Sequence, residues 1–245
     1  MDNFLICSHI AKAYSDFSGL NAKKKTVLRD ISFSLPSGSV TGLIGMSGEG
    51  KSTLSRILLG LEKPDSGTVL VEDKELESWK KSLRGQMSAV FQNYSDSVNQ
   101  YLSIRQILLD PCAALNKKSP DPKKLIKSVG LSPELLDKRP YELSGGQLQR
   151  VCIARAMSTH PKFVIFDEAL SSLDAAVQFE ILELLQNLRS PESVWLFITH
   201  DIEAGAFLCD NLMFLSGGKI IETLPSNALE RAKTKEVKDL LEHIL

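Results

Sequence analysis

The sequence holds no paired cysteines, no long apolar run and no excess of positive charge, and each absence removes a class of function. Its four cysteines, Cys7, Cys112, Cys152 and Cys209, are scattered without a C-x-x-C pair. Neither a disulfide framework nor a zinc site is expected, and a reducing cytoplasm fits. No apolar run approaches the roughly 18 residues of a membrane helix, and Met1-Asp2-Asn3 opens no basic-then-apolar leader. A soluble protein that meets membranes only through partners is therefore expected. The 29 Lys and Arg are balanced by 30 Asp and Glu, for a formal net charge of -1. That balance argues against a general nucleic-acid binder, whose affinity comes from clustered cations. The single tight basic run, Lys23-Lys24-Lys25, reads as a solvated loop. No internal repeat or low-complexity tract is visible.

What is present suits one large α/β domain, or one core with a smaller inserted lobe: 245 residues, 43% hydrophobic and 24% charged. Its most pointed stretch is Gly45-Met46-Ser47-Gly48-Glu49-Gly50-Lys51-Ser52-Thr53, which reads G-x-x-x-x-G-K-S, a phosphate-binding loop. Gly45, Gly48 and Gly50 let backbone N–H groups close on phosphate oxygens. Lys51 offers a point charge to the outer phosphates, and the Ser52 hydroxyl can complete a Mg²⁺ shell. The flanks agree with that assignment. Val40-Thr41-Gly42-Leu43-Ile44 reads as a buried strand, and Leu54, Ile57, Leu58 and Leu61 fall at the spacing of a helix stripe. Such a helix would point its N-terminal amides at the anion. Nucleoside triphosphate binding is expected here.

Before this loop, Phe4–Cys7, Val27-Leu28 and Ile31–Leu35 are short alternating runs that predict an antiparallel sheet. Pro36-Ser37-Gly38 and Pro64–Gly67 read as turns, Thr68–Val71 as a strand, and Ala89-Val90-Phe91 as a third buried strand ending at Gln92. From about Ser95 to His160 the pattern is helical and broken by Pro111, Pro120, Pro122, Pro133 and Pro140, so a separate helical lobe is expected. The apolar run Phe163–Phe166 ends in Asp167-Glu168. A helix through Val177, Ile181, Leu184, Leu185 and Leu188 follows, then Val194–Thr199 ending at His200. The tail Val237, Leu240, Leu241, Ile244 has helical spacing and reads as a packing helix. Strands alternating with helices imply a mainly parallel sheet with ligands at the strands' carboxyl ends.

Asp167 at a strand end can hold Mg²⁺ through its water shell. Glu168 can polarise a water for in-line attack on the γ-phosphate. Carboxylates at such a place also cap loops, and the phosphate loop in the same chain favours the chemical role. Leu143-Ser144-Gly145-Gly146-Gln147 reads as a capping box, Ser144 as N-cap and Gln147 three residues on. The same serine and glycines at a helix N-terminus form an anion site.

That motif, placed between a phosphate loop and an Asp-Glu strand, resembles the signature of the ABC transporter ATPases, and the order of elements matches throughout. The resemblance implies an α/β fold: a P-loop NTPase core with a mainly parallel sheet, an N-terminal antiparallel β subdomain and an inserted α-helical subdomain. The implied division is about 1–94 and 156–225 for the nucleotide-binding core, about 95–155 for the helical signature subdomain and 226–245 for a C-terminal helix. It further implies ATP and Mg²⁺ as ligands, with Ser47 and Thr53 in the phosphate loop. Tyr14 is implied as an aromatic that stacks on adenine, with a plain β-surface tyrosine as its alternative. Gln92 resembles the loop glutamine that reaches Mg²⁺. Ser171-Ser172-Leu173-Asp174 resembles the loop that crosses the dimer interface, and His200 resembles the switch histidine at the γ-phosphate. His9, His160 and His243 carry no such context and read as surface or packing residues.

The family's ATPases stack head to tail, so Ser144, Gly145 and Gly146 of one subunit, with Gln147, are implied to close over ATP held by the other. Phe91–Gln100 with Asp110-Pro111 is similar to the F-Q-D-P-x-x-S-L-N-P … E-P pattern of oligopeptide, dipeptide and nickel importer ATPases. Gln100 replaces the usual proline, and Glu49 replaces a small residue of the phosphate loop. The implied partners are a second, identical or homologous ATPase, two permease subunits and, indirectly, a solute-binding protein. The implied place is the cytoplasmic face of the inner membrane, peripherally bound. The end at Leu245 favours a nickel, metal-chelate or small-peptide importer over the longer oligopeptide type. An exporter or lipoprotein-release ATPase is the rival assignment. A soluble ABC protein of ribosomes or DNA is a further one, against which stand the single cassette and the lack of sustained heptads.

Overall fold

The computed structural model describes residues 2–16 and 23–242. His243 and Ile244, read above as a surface or packing residue and as part of a tail helix, lie outside the described residues. Strand β1 (Asn3–Asp16) and strand β2 (Lys23–Pro36) form a long antiparallel pair. The apolar runs that looked short are continuous because register shifts between Cys7 and Ile10 take up extra residues. Lys23-Lys24-Lys25 is not a loop: it opens β2 opposite Asp16, Ser15 and Tyr14. Successive strand residues point to opposite faces, and Lys24 and Lys25 are both exposed, so no alternation marks the strand here.

Strand β3 (Val40–Ile44) leads through the loop into helix α1 (Lys51–Leu58). Leu54, Ile57 and Leu58 are buried, but Leu61 is 66% exposed and lies past the helix end. The helix stops because Gly60 turns left-handed at φ 61, and Lys80 Nζ donates to the carbonyls of Leu59 (2.8 Å) and Gly60 (3.0 Å). Strands β4 (Ser66–Val71) and β5 (Lys74–Glu75) extend the antiparallel sheet in the order β2-β1-β4-β5. Helix α2 (Leu76–Ser82), which no apolar stripe announced, carries the fully buried Trp79.

Strand β6 (Met87–Phe91) follows. It was expected to be buried, yet only Val90 is, because β6 is an edge strand of the second sheet. The next part of the chain is helical: α3 (Ile104–Ala114), α4 (Pro122–Ser128), 3₁₀ turns at Pro133–Asp137 and Pro140–Glu142, then α5 (Gly145–Met157). Pro111 does not break α3, which runs through it to Ala114. Ile104, Ile107, Leu108 and Cys112 are buried on both sides of the proline, and this packing outweighs one lost backbone bond. Pro122, Pro133 and Pro140 start helical turns, where a missing N–H costs nothing.

The remaining elements are β7 (Phe163–Asp167), α6 (Ala175–Leu188), β8 (Val194–Thr199), α7 (Ile202–Leu208), β9 (Asn211–Ser216), β10 (Lys219–Pro225) and α8 (Lys235–Glu242). The expected C-terminal helix over 226–245 is, within the described residues 226–242, not one helix. A 3₁₀ turn over Ser226–Arg231 precedes α8, and the Glu222 carboxylate accepts from the N–H groups of Lys233 and Thr234, anchoring the start of a new helix. Val237 and Leu241 of α8 are buried, as its spacing predicts.

The second sheet has the order β10-β9-β3-β8-β7-β6, with every pair parallel except the β9–β10 hairpin. Strands β3, β7 and β8 are buried at every position. Phe163, Ile165, Leu196 and Ile198 face the core shared with β1, β2 and α1, while Phe166, Trp195 and Phe197 face the core of α5, α6 and α7. Both faces are covered, so these strands read as unbroken apolar runs. At the centre of the helical side, Phe166 packs on Trp195 at 5.2 Å and Phe197 at 6.3 Å between ring centroids. Phe166→Ala is expected to cost about 3–5 kcal/mol, measured as a lower urea midpoint with an unchanged slope.

Candidate functional site

The site is assembled by strand register. Ile44 of β3 pairs with Thr199 of β8, Ile198 of β8 with Asp167 of β7, and Asp167 with Phe91 of β6. The residues just past these ends are Gly45, His200, Glu168 and Gln92, so four separate sequence motifs converge on one rim of the sheet.

The phosphate loop needs glycine at Gly50, the N-cap of α1. It has φ 102, and a Cβ there would lie 2.8 Å from Leu28 Cδ2 and 2.9 Å from Val27 Cγ1. Lys51 is only 4% exposed, and its ammonium uses all three donors: Gly45 O at 2.8 Å, Met46 O at 3.1 Å and Glu168 Oε1 at 3.0 Å. Glu168 joins two of the motifs, since its other oxygen lies 3.2 Å from His200 Nδ1. Its side chain is 19% exposed and that of His200 57%. The Lys51–Glu168–His200 chain was not legible in the sequence, where each residue was assigned alone.

Ser52 Oγ donates to Asp167 Oδ1 at 3.4 Å. Asp167 is buried. Burial pushes its carboxyl above the usual range and the Glu168 charge adds to this, against the opposing pull of nearby hydroxyls and Lys51. A hydroxyl and a carboxylate facing each other at the mouth of a phosphate loop are the hard oxygen donors that suit Mg²⁺. Gln92 lies beside them in register and is exposed. Ser47 and Gly48 sit at the loop's exposed crest, and Thr53 lies inside the first turn of α1.

Tyr14 is held against α1, its hydroxyl donating to Glu62 Oε2 (2.8 Å) and accepting from Arg56 Nη2 (3.1 Å), with Thr53 Oγ1 at 3.4 Å. Burial raises the Glu62 carboxyl, but the hydrogen bonds from Tyr14, Lys12 and Arg56 outweigh it and hold the group below its usual range. Lys12, Arg56 and Glu62 are neighbours of Tyr14 that sequence reading missed. No motif marks them, since they meet only across β1 and α1.

The second motif stands apart from the first. Ser144 caps α5, accepting from Gln147 N at 3.3 Å, while Gln147 Oε1 accepts from Ser144 N at 3.1 Å. This is the capping box read from sequence. Among the described residues, no hydrogen bond or ion pair joins Ser144–Gln147 to residues 45–53. Asp174 caps α6 through Val177 N at 3.0 Å. Both helix starts are exposed at Ser144, Gly145 and Asp174.

A sequence profile described as "ABC transporter" matches residues 28–171. The chain belongs to the ABC transporter family. It is an ATPase of that family and binds ATP. This ABC ATPase is 41% identical over 239 residues to the metal-staphylopine import system ATP-binding protein CntF of Staphylococcus aureus (strain NCTC 8325 / PS 47), covering 95% of this chain and 96% of the relative. It is 37% identical over 242 residues to the nickel import ATP-binding protein NikE of Rhodospirillum rubrum, covering 94% and 87%. Its fold is shared with the ATP-binding cassette MJ0796, solved as a dimer in a post-hydrolysis state bound to ADP and Pi. That likeness has a TM-score of 0.79 at 23% identity and covers 91% of this chain and 98% of the other. The α/β fold expected from sequence is thus the fold of the ABC cassettes.

The Lys51 ammonium lies buried beneath the loop on Gly45 O, Met46 O and Glu168, where its removal would take a positive charge from the loop. Lys51→Ala is expected to weaken ATP binding roughly ten- to hundredfold, measured by titration with a fluorescent ATP analogue.

Proposed function

We propose that this chain is the ATP-binding subunit of an importer for a metal chelate or nickel, with small peptides as the neighbouring substrate class. One observation carries the reading: both named relatives align over nearly the whole chain, and both names describe import of metal. Among the described residues no helix is long and apolar enough to cross a membrane, so the substrate would pass through separate permease subunits. We place the protein on the cytoplasmic face of the membrane that holds them.

A groove of about 560 Å³ between β6, α3 and α5 is our candidate seat for a permease. Its floor is the half-buried edge strand Met87–Phe91, and Asp110, Pro111 and Arg155 form its walls. The groove's lining reaches Phe91, and Gln92 follows it directly in the chain, so a permease seated there would press on the strand that carries a residue of the ATP site.

In this reading Gly45–Thr53 wraps the phosphates, and Tyr14 stacks on adenine. The hydrogen bond that Tyr14 donates to Glu62 and the one it accepts from Arg56 fix the ring's direction. Ser52, Asp167 and Gln92 would hold Mg²⁺, which when bound offsets charge on the β- and γ-phosphates. The γ-phosphate competes with Glu168 for the Lys51 ammonium. Binding therefore frees the Glu168 carboxylate to accept a proton from the attacking water, and His200 contacts the γ-phosphate.

The N-terminus of α5 would face ATP held by a second ATPase: Ser144 and Gly145 are exposed, and among the described residues no hydrogen bond or ion pair ties Ser144–Gln147 to the chain's own phosphate loop. Asp174 would cross the same interface. ATP joins the two surfaces, and hydrolysis with phosphate release separates them. We assign about 1–94 and 156–225 to the nucleotide core, about 95–155 to the signature lobe and 226–245 to the C-terminal segment.

Glu168→Gln is expected to keep ATP affinity and lower turnover by about 10³-fold, trapping a dimer visible by light scattering in ATP. Ser144→Arg is expected to leave ATP binding by single chains unchanged and abolish that dimer when built into the Glu168→Gln background. In cells lacking the chain, uptake of labelled nickel or of a nickel–metallophore complex should fall. Wild type should restore it and Glu168→Gln should not; uptake that stays at the normal level would refute the metal assignment.

A further inference from the structure

Glu168 is a non-glycine residue at φ 48, in the left-handed region, so its surroundings must impose its conformation. Its N–H donates to Ile198 O at 2.9 Å, and its carbonyl accepts from Ser171 N (3.2 Å) and Ser171 Oγ (3.0 Å). The next peptide is held from another element. Gln149, in α5 and 0% exposed, donates through Nε2 to Ala169 O at 2.7 Å. Its Oε1 has no hydrogen-bond partner among the described residues. Gln178 of α6 donates to the carbonyls of Leu170 and Leu173, both at 3.0 Å. The carbonyls of Glu168, Ala169, Leu170 and Leu173 are therefore each met by a side chain, and that of Ala169, the residue after Glu168, is met from the helix that Ser144 caps.

We infer that Gln149 is a positioning residue for Glu168: its single buried hydrogen bond to Ala169 O sets the direction of the Glu168 carboxylate. The amide makes one hydrogen bond and leaves Oε1 unpaired, whereas an apolar side chain would remove the unpaired oxygen and strand the Ala169 carbonyl, so the side chain gives little net stability. Its bond to Ala169 O fits a geometric task. Gln149 lies five residues past Ser144 on α5, so the same helix touches the signature at one end and the Glu168 loop in its middle. This inference rests on the reading of Glu168 as the group that activates water.

The test compares full-length wild type, Glu168→Gln, Gln149→Met and Gln149→Glu. It measures turnover at saturating ATP and magnesium, the dissociation constant of a fluorescent ATP analogue, and melting temperature. Gln149→Met should lower kcat by about tenfold or more and leave the dissociation constant unchanged, with at most a small change in melting temperature because the loss of the unpaired Oε1 offsets the stranded Ala169 carbonyl. In Gln149→Glu the carboxyl is sealed from water and stays protonated to higher pH than an exposed one. Its O–H then replaces the lost N–H donor. Turnover of Gln149→Glu relative to wild type should thus be restored at low pH and fall as pH rises, whereas the ratio for Gln149→Met stays flat.

Wild-type kcat in Gln149→Met, with Glu168→Gln inactive, overturns the positioning role and leaves the function of Glu168 standing. An affinity that falls in step with kcat assigns Gln149 to packing and overturns the role as well, as does a flat pH ratio for Gln149→Glu. Wild-type turnover in Glu168→Gln removes both readings together.

Discussion

Everything at the nucleotide site depends on the register of four parallel strands. In β6, β7, β8 and β3 the pairs Phe91–Asp167, Asp167–Ile198 and Thr199–Ile44 are fixed by backbone hydrogen bonds. The side-chain period of a strand is two, so a slip of one residue would turn each core face outward. Phe163, Ile165, Leu196 and Ile198 on one side, and Phe166, Trp195 and Phe197 on the other, are buried and cannot be exchanged. The apolar cores therefore lock the register, and the register lines up Gly45, His200, Glu168 and Gln92. Packing far from the phosphates decides where the polar groups meet.

The charges at that rim are arranged so that few are free. Lys51 is sealed beneath the loop and paired with Glu168, and Asp167 is buried with a hydroxyl facing it. Burying such groups is costly unless each is met by a partner, and here each partner belongs to a different motif. The site is thus electrostatically closed on itself, and a polyanion entering it must exchange partners with groups already engaged. The network around Tyr14 follows the same rule at the periphery. Lys12, Arg56 and Glu62 satisfy one another and the phenol, so the ring's position is set by charge pairing as well as by its strand.

Much of this was legible in sequence. The phosphate loop carries its geometry in its residue types, because Gly50 alone tolerates φ 102 against Val27 and Leu28. The strands β3, β7 and β8 were evident as apolar runs, and the capping box at Ser144–Gln147 formed as its spacing demands. The misreadings share a cause. Leu61 continued a helix stripe past Gly60, Pro111 looked like a helix end, and Lys23–Lys25 looked like a loop. In each case a local pattern was overruled by tertiary contacts: Lys80 on the end of α1, buried neighbours around Pro111, and β1 alongside β2. Trp79 and α2 were missed because seven residues are too few to show a period.

The sequence by itself determined the chemistry of each motif, since residue type and spacing decide what a loop can bind and which helix start can be capped. Only the tertiary structure decided how the motifs combine. Lys51, Glu168 and His200 are far apart in the chain and touch because three strands end at one level. Gln149, a polar residue inside an apolar helix face, acquires a task only when α5 packs on the loop after β7. Local sequence sets torsions and side-chain chemistry, but contact between distant residues is set by which faces the whole chain must bury.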